Sequence, residues 1–273
     1  MGADNEDLFH DDLDTGGYVF KNKAIMIPVD RFEPAPLYQP RVYPGASPRE
    51  SFLYLGDSIQ LLGDVLDFQQ LAETLEKFDC VSLADRQAVL CSGSNACPAQ
   101  VRTKLSGIDG DLGVPFLLVD LEGASPVFAA HVSSYGVIPA TLDKVAGSSR
   151  CHLAFFTGSQ LERVNATEGS RYELSRLQGL RMEWNGTELR DPPLAYLSTS
   201  GVLTFDGVPA RLAEYDQESL IERVLKELGQ RCSFADSEEF FSSPGVSSTV
   251  LNHELRAAGI WRRHQLAHEP ASL

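Results

Sequence analysis

The chain has 273 residues, 43% of them hydrophobic, and a formal net charge of −15 at pH 7. That apolar content is enough to bury a core. The acidic excess argues against nucleic acid and against an anionic membrane surface as partners, because both need clustered Lys and Arg. No apolar run approaches the roughly 20 residues that span a bilayer, so no membrane partner is expected.

The N-terminal stretch MGADNEDLFHDDLD lacks the basic start and apolar run of a signal peptide. Gly2 has Glu6 where a myristoylation signal wants Ser or Thr. The five cysteines (Cys80, Cys91, Cys97, Cys151, Cys232) have no regular spacing, which suits free thiols in a reducing cytoplasm better than a disulfide framework. A cytoplasmic protein is therefore expected, and the glycosylation-type triplets at Asn165 and Asn185 read as chance matches.

In chain order, residues 1–17 carry six acids and no base and read as a solvated arm. Residues 18–50 are rich in proline and aromatics and read as an extended surface segment. Leu66, Phe68, Leu71, Leu75 and Phe78 recur at helical spacing, predicting a helix over 66–78. Residues 86–91 read as a short buried strand, and Pro98 fits the first turn of a following helix. Strands are expected over 114–122, 126–133, 136–143 and 150–157, then a helix over 159–169 between a Ser start and a Gly stop. Further strands are expected over 172–178, 180–186, 194–201 and 208–215, followed by helices over 217–230 and 247–258 and a polar tail. Many short strands with helices inserted predict an α+β fold, and closure into a barrel would remove exposed strand edges.

The common catalytic signatures are missing: there is no nucleophile elbow, Walker A loop, dinucleotide fingerprint or HExxH zinc motif. His264 and His268 share a helical spacing, but near the chain end they read as solvated tail, and no metal site is expected. Cys91 would serve as a nucleophile only with His131 or His152 in reach of its sulfur. The loop Ser92-Gly93-Ser94-Asn95-Ala96 lies between strand and helix, where unpaired N–H groups can hold a carboxylate or an oxyanion. By itself it reads first as an ordinary helix cap, with Ser and Asn bonding locally. Glu168 precedes the helix-stopping Gly169, where the helix dipole disfavours negative charge.

The loop SGSN before a helix, then GVIPATL, then LERVNATEG ahead of Tyr172, together resemble the γ-glutamylcyclotransferase-like family, best over 88–175. In that family a YGSNL loop precedes the first helix, and an acidic residue stands before a glycine on a later short helix. The resemblance implies an α+β mixed β-barrel with flanking helices. It places Gly93, Ser94 and Asn95 in the substrate loop, with Ser92 and Tyr172 beside them, and makes Glu168 the catalytic carboxylate. Ser92 stands where the family has tyrosine, and Ala96 where it has leucine. The expected organisation is an acidic and proline-rich segment (1–50), a barrel domain with an N-terminal helical lead-in (51–216) and a helical extension (217–273), of which the resemblance leaves 1–80 and 220–273 unexplained.

The implied reaction cyclises a small γ-glutamyl compound to 5-oxoproline, releasing an amine, without a cofactor. The α-amine attacks its own γ-carbonyl, so positioning and proton transfer suffice. A related amide-linked small molecule is a further candidate substrate. The rival expectation is a non-catalytic small-molecule-binding or protein-interaction module on the same fold. No protein partner is named by the sequence.

Overall fold

The computed structural model describes residues 26–108, 110–242 and 244–271, with the backbone of Phe9–Asp11 and Tyr18–Phe20. Those two short segments pair as an antiparallel hairpin. The rest of the expected acidic arm lies outside the described residues.

The fold is α+β, built on one large mixed sheet. Its strands are β1 (Met26–Pro28), β2 (Phe52–Leu55), β3 (Ser58–Leu61), β4 (Gln87–Cys91), β5 (Gly113–Phe128), β6 (Ala140–Phe156), β7 (Tyr172–Leu177), β8 (Arg181–Trp184), β9 (Thr187–Leu189) and β10 (Leu194–Ser198). The small sheet contains β11 (Val202–Phe205), β12 (Val208–Pro209) and β13 (Trp261–Arg262), and β14 (His268–Pro270) returns to the large one. The helices are α1 (Phe68–Lys77), α2 (Pro98–Leu105), α3 (Gly158–Glu168), α4 (Gln217–Leu228), α5 (Ser237–Ser242) and α6 (Pro244–Ala257).

The large sheet runs β14-β7-β10-β4-β6-β5-β2-β3-β1, with β8 joining β5 to β9. Its end strands β14 and β1 do not pair with each other, so among the described residues the sheet stays open and the expected barrel does not close. Helices and the N-terminal segment cover its faces in place of closure. In β4, Val89 and Cys91 enter one core while Leu90 enters the other. In β10, Leu194 and Tyr196 are divided in the same way from Ala195 and Leu197. That is the two-residue period of a strand buried on both faces.

Two pairs of expected strands merge. Of the expected strands, 114–122 and 126–128 fall in the single strand β5 and 140–143 and 150–156 in β6, while 129–133 and 136–139 belong to the connection between the two. Gly123, at φ +74°, absorbs a register shift between Glu122 and Ala124. Glycine there makes a bulge where the sequence suggested a turn. The β2–β3 hairpin, β11 and α5 have no counterpart among the expected elements, and the expected strand at 208–215 shrinks to β12.

The proline-rich segment is not a surface wrapping. Val29, Phe32 and Ala35 are fully buried, and Tyr43 nearly so. The polar tail is likewise structured: β13 pairs with β11, and β14 with β7. Pairing and contacts therefore cross the expected boundaries at 50 and 217, and Arg41 meets Glu238 of α5 at 2.5 Å. His264 is half-buried, with Nδ1 3.1 Å from the Leu142 carbonyl and Nε2 3.0 Å from that of Ser198. Burial pushes its imidazole below the usual value, while those carbonyls and Asp143 pull the other way. Among the described residues, no group of three His, Cys, Asp or Glu side chains is placed to hold a metal ion. No helix there is long and apolar enough to cross a membrane.

Candidate functional site

The site is set by strand order. Strands β7, β10, β4 and β6 are consecutive neighbours, and β10 and β4 run parallel. Their partners β7 and β6 run antiparallel to them: Tyr172 at the start of β7 pairs with Ser198 at the end of β10, and Cys91 at the end of β4 pairs with His152 of β6, whose earlier residues continue past it back to Ala140. Tyr172, Tyr196, the loop after Cys91 and Ala140 are thereby gathered at one edge of the sheet.

Around that edge lies a cavity of about 370 Å³. Ser92, Gly93, Ser94 and Asn95 form one wall, and Thr167, Glu168 and Tyr172 another. The β5–β6 connection, 129–139, adds His131 and Tyr135. Helix α2 turns Gln100, Thr103 and Lys104 toward the same space, a spacing of three and four residues that puts them on one face. All six residues singled out from the sequence therefore line one cavity.

The two motifs also touch. Asn95 Nδ2 donates to Glu168 Oε1 at 2.9 Å, across 73 residues of sequence. Lys104 Nζ donates to the same oxygen at 2.6 Å, with both side chains largely withdrawn from solvent. Glu168 ends α3, whose start is closed by the reciprocal Thr157–Gln160 capping box and whose end is released by Gly169 at φ +61°. The unfavourable position of a carboxylate at a helix C-terminus is thus answered by an ammonium from α2.

Other lining groups are already engaged. Tyr172 donates its hydroxyl to the Ala140 carbonyl at 2.7 Å and meets His131 edge to face, so it enters the site as a wall. Tyr43, from the N-terminal segment, accepts from the Ala140 N–H at 2.6 Å and faces the Ser94 N–H. Part of the loop's expected anion-binding capacity is therefore taken by a tyrosine that arrives from outside the motif. Two buried lining atoms, Asn95 Oδ1 and the Tyr196 hydroxyl, have no hydrogen-bond partner in the protein. Asn95 Nδ2 must face Glu168, which has only acceptors when ionised, so its Oδ1 is turned elsewhere.

Burial sets the titration of the surrounding side chains. It drives the His131 imidazole down to about 3, with the Arg171 charge acting in the same direction, so His131 is neutral and meets the Ser198 hydroxyl at 3.1 Å. Burial pushes Tyr135 up to about 12, assisted by the Glu168 charge. Tyr196 is raised by burial first and by Glu168 second, which keeps it an O–H donor. The cysteine alternative gains no support. Burial holds the Cys91 thiol well above its ordinary value, its sulfur faces the Val89 carbonyl, and His152 is engaged with the Glu50 carbonyl.

Tyr43, Lys104 and Tyr196 were not singled out from the sequence. The Gln100–Lys104 face of α2 was readable as a spacing, but only the fold shows that it looks toward Glu168. Tyr43 carries no local signal at all.

No protein-family model and no curated protein matches the chain. Among solved structures it is similar to the solution structure of At3g28950.1 from Arabidopsis thaliana, at 14% identity and a TM-score of 0.33 over 53% of this chain and 78% of that one. It is also similar to the uncharacterized protein loc79017 from Homo sapiens, at 12% identity and a TM-score of 0.33 over 68% of this chain and 94% of that one. Likenesses this slight carry no argument about function.

Proposed function

We infer that this chain is a γ-glutamylcyclotransferase-like enzyme that releases an amine and 5-oxoproline from a small γ-glutamyl compound. The supporting observation is the convergence of Glu168 with residues 92–95 in one cavity, joined by the 2.9 Å Asn95–Glu168 bond. Two segments far apart in sequence meet where the family resemblance needs its carboxylate and its substrate loop.

In this reading the substrate is folded so that its α-nitrogen lies against its own γ-carbonyl carbon. Glu168 takes a proton from the attacking nitrogen as the new C–N bond forms, and a proton reaches the departing nitrogen as the old bond breaks. Asn95 and Lys104 hold Oε1, which leaves Oε2 to meet the substrate. The Tyr196 hydroxyl is a buried donor in the same wall, of the kind that stabilises a developing oxyanion. The test is incubation with a panel of γ-glutamyl amines and dipeptides, with 5-oxoproline measured by mass. Release from none of them would remove the enzymatic reading.

A second reading is a non-catalytic module that binds a small amide. It is favoured by Tyr43, which faces the Ser94 N–H of the loop, and by Lys104, which neutralises Glu168. Calorimetry that shows binding of γ-glutamyl compounds without turnover would select it.

A further inference from the structure

A cyclisation of this kind needs a proton taken from one nitrogen and a proton given to another. One carboxylate can serve both nitrogens in turn, but a second proton carrier beside it divides the task, and one oxygen of Glu168 is held by two donors. The nearer of those donors is itself a proton carrier. Lys104 Nζ is 2.6 Å from Oε1, the two side chains are 11% and 13% exposed, and both line the cavity. Lys104 sits in the last turn of α2, a helix packed into the core through Ala99, Val101 and Leu105. Its ammonium is therefore held at the reacting end of the cavity and not on a mobile arm.

Building on the cyclotransferase reading, we propose that Lys104 is the general acid of the site, protonating the leaving nitrogen while Glu168 deprotonates the attacking one. The substrate ammonium first gives one proton to solvent and becomes the nucleophile. Its next N–H proton passes to Glu168 as the new C–N bond forms and the carbonyl π pair moves onto oxygen. That pair re-forms the carbonyl as the old C–N bond breaks, and the electron pair left on the departing nitrogen takes a proton from Lys104 Nζ. Glu168 then returns its proton to the neutral lysine across the 2.6 Å contact, which restores both groups. The released amine takes its last proton from solvent, so the charges and protons balance.

The experiment compares wild type, Lys104→Met and Lys104→Arg on two substrates, a γ-glutamyl alkylamide and γ-glutamyl 4-nitroanilide. The alkyl nitrogen is a poor leaving group without a proton, whereas the nitroanilide nitrogen depends on one much less. Arginine keeps the charge beside Glu168 but does not give up a proton in proteins. Both variants are expected to lose about 100-fold in kcat on the alkylamide and less than about 5-fold on the nitroanilide. Equal losses on the two substrates, or recovery of alkylamide turnover by Lys104→Arg, would make Lys104 only a holder of Glu168 and overturn the proposal. The cyclotransferase reading would survive that outcome. Wild-type protein inactive on both substrates would overturn the two together.

Discussion

At Gly93 the backbone has φ −145°, outside the left-handed region, so the lack of a side chain there answers to crowding. A Cβ would stand 2.3 Å from the Tyr43 hydroxyl and 2.9 Å from the Ala140 Cβ. Neither neighbour is free to retreat, because the same hydroxyl holds the Ala140 N–H. Gly93→Ala is expected to cost about 1–3 kcal/mol through overpacking. Tyr43→Phe should cost about 1–3 kcal/mol by leaving a buried N–H unpaired. Because Tyr43→Phe removes the clashing oxygen, Gly93→Ala should cost at least about 0.5 kcal/mol less in that background. A double-mutant cycle by urea unfolding checks this, and strict additivity would contradict the contact. Legibility at this scale was uneven for the same reason. Asn95 and Glu168 stand beside glycines in short motifs, whereas Tyr43 acts across about 50 residues with nothing local to mark it.

At the scale of elements, the arrangement that presents the loop is tied together by Arg86, just before β4. Its side chain is fully buried, meets Asp111 at 2.5 Å, and donates to the carbonyls of Val81, Gly113 and Phe155. It thus joins the start of β4 to the start of β5 and the end of β6. Arg86→Met would take the charge partner from Asp111, leaving it the Val81 and Gly113 N–H groups, and would remove one donor from each of three carbonyls, at an expected cost of about 3–5 kcal/mol. A change below about 1 kcal/mol in urea unfolding would contradict that role. Helices α1, α3 and α4 were legible because their caps and apolar spacing are local: Asp67, Thr157 and Asp216 each accept from a first-turn N–H. The joins between strands were not. Gly123 reads in sequence as a turn, and only the register shows that the chain bulges and continues. The buried proline-rich segment was misread because its apolar residues follow neither period, although Phe32 and Val29 fill the core beneath α2.

For the molecule as a whole, two histidines are buried neutral on or near the sheet. Burial lowers His131 to about 3 and His152 to about 4. In the unfolded chain each regains a value near 6.5 and binds a proton that the native state refuses. Their contribution is therefore fully present above about pH 6.5 and is lost as pH falls toward 4. At pH 4.5 the loss is roughly 2–3 kcal/mol for each. Urea unfolding at pH 7 and 4.5 reads these losses together with those of every other group whose proton uptake differs between the two states, His264 and Asp216 among them. His152→Gln, which cannot titrate, should therefore shrink the total loss by roughly 2–3 kcal/mol. An unchanged pH dependence in that variant would contradict the neutral, buried state of His152.

The α+β class was readable from the whole sequence, and the open path of the sheet was not, since pairing between distant strands leaves no local trace. What that path accomplishes is to bring Glu168 and residues 92–95 to one cavity, and the most direct test of its meaning is kinetic. Release of 5-oxoproline from a γ-glutamyl amide should fall at least about 100-fold in Glu168→Gln. The melting temperature should stay within a few degrees of wild type. Equal release by the two proteins would contradict the assignment of Glu168, and with it the account of this site.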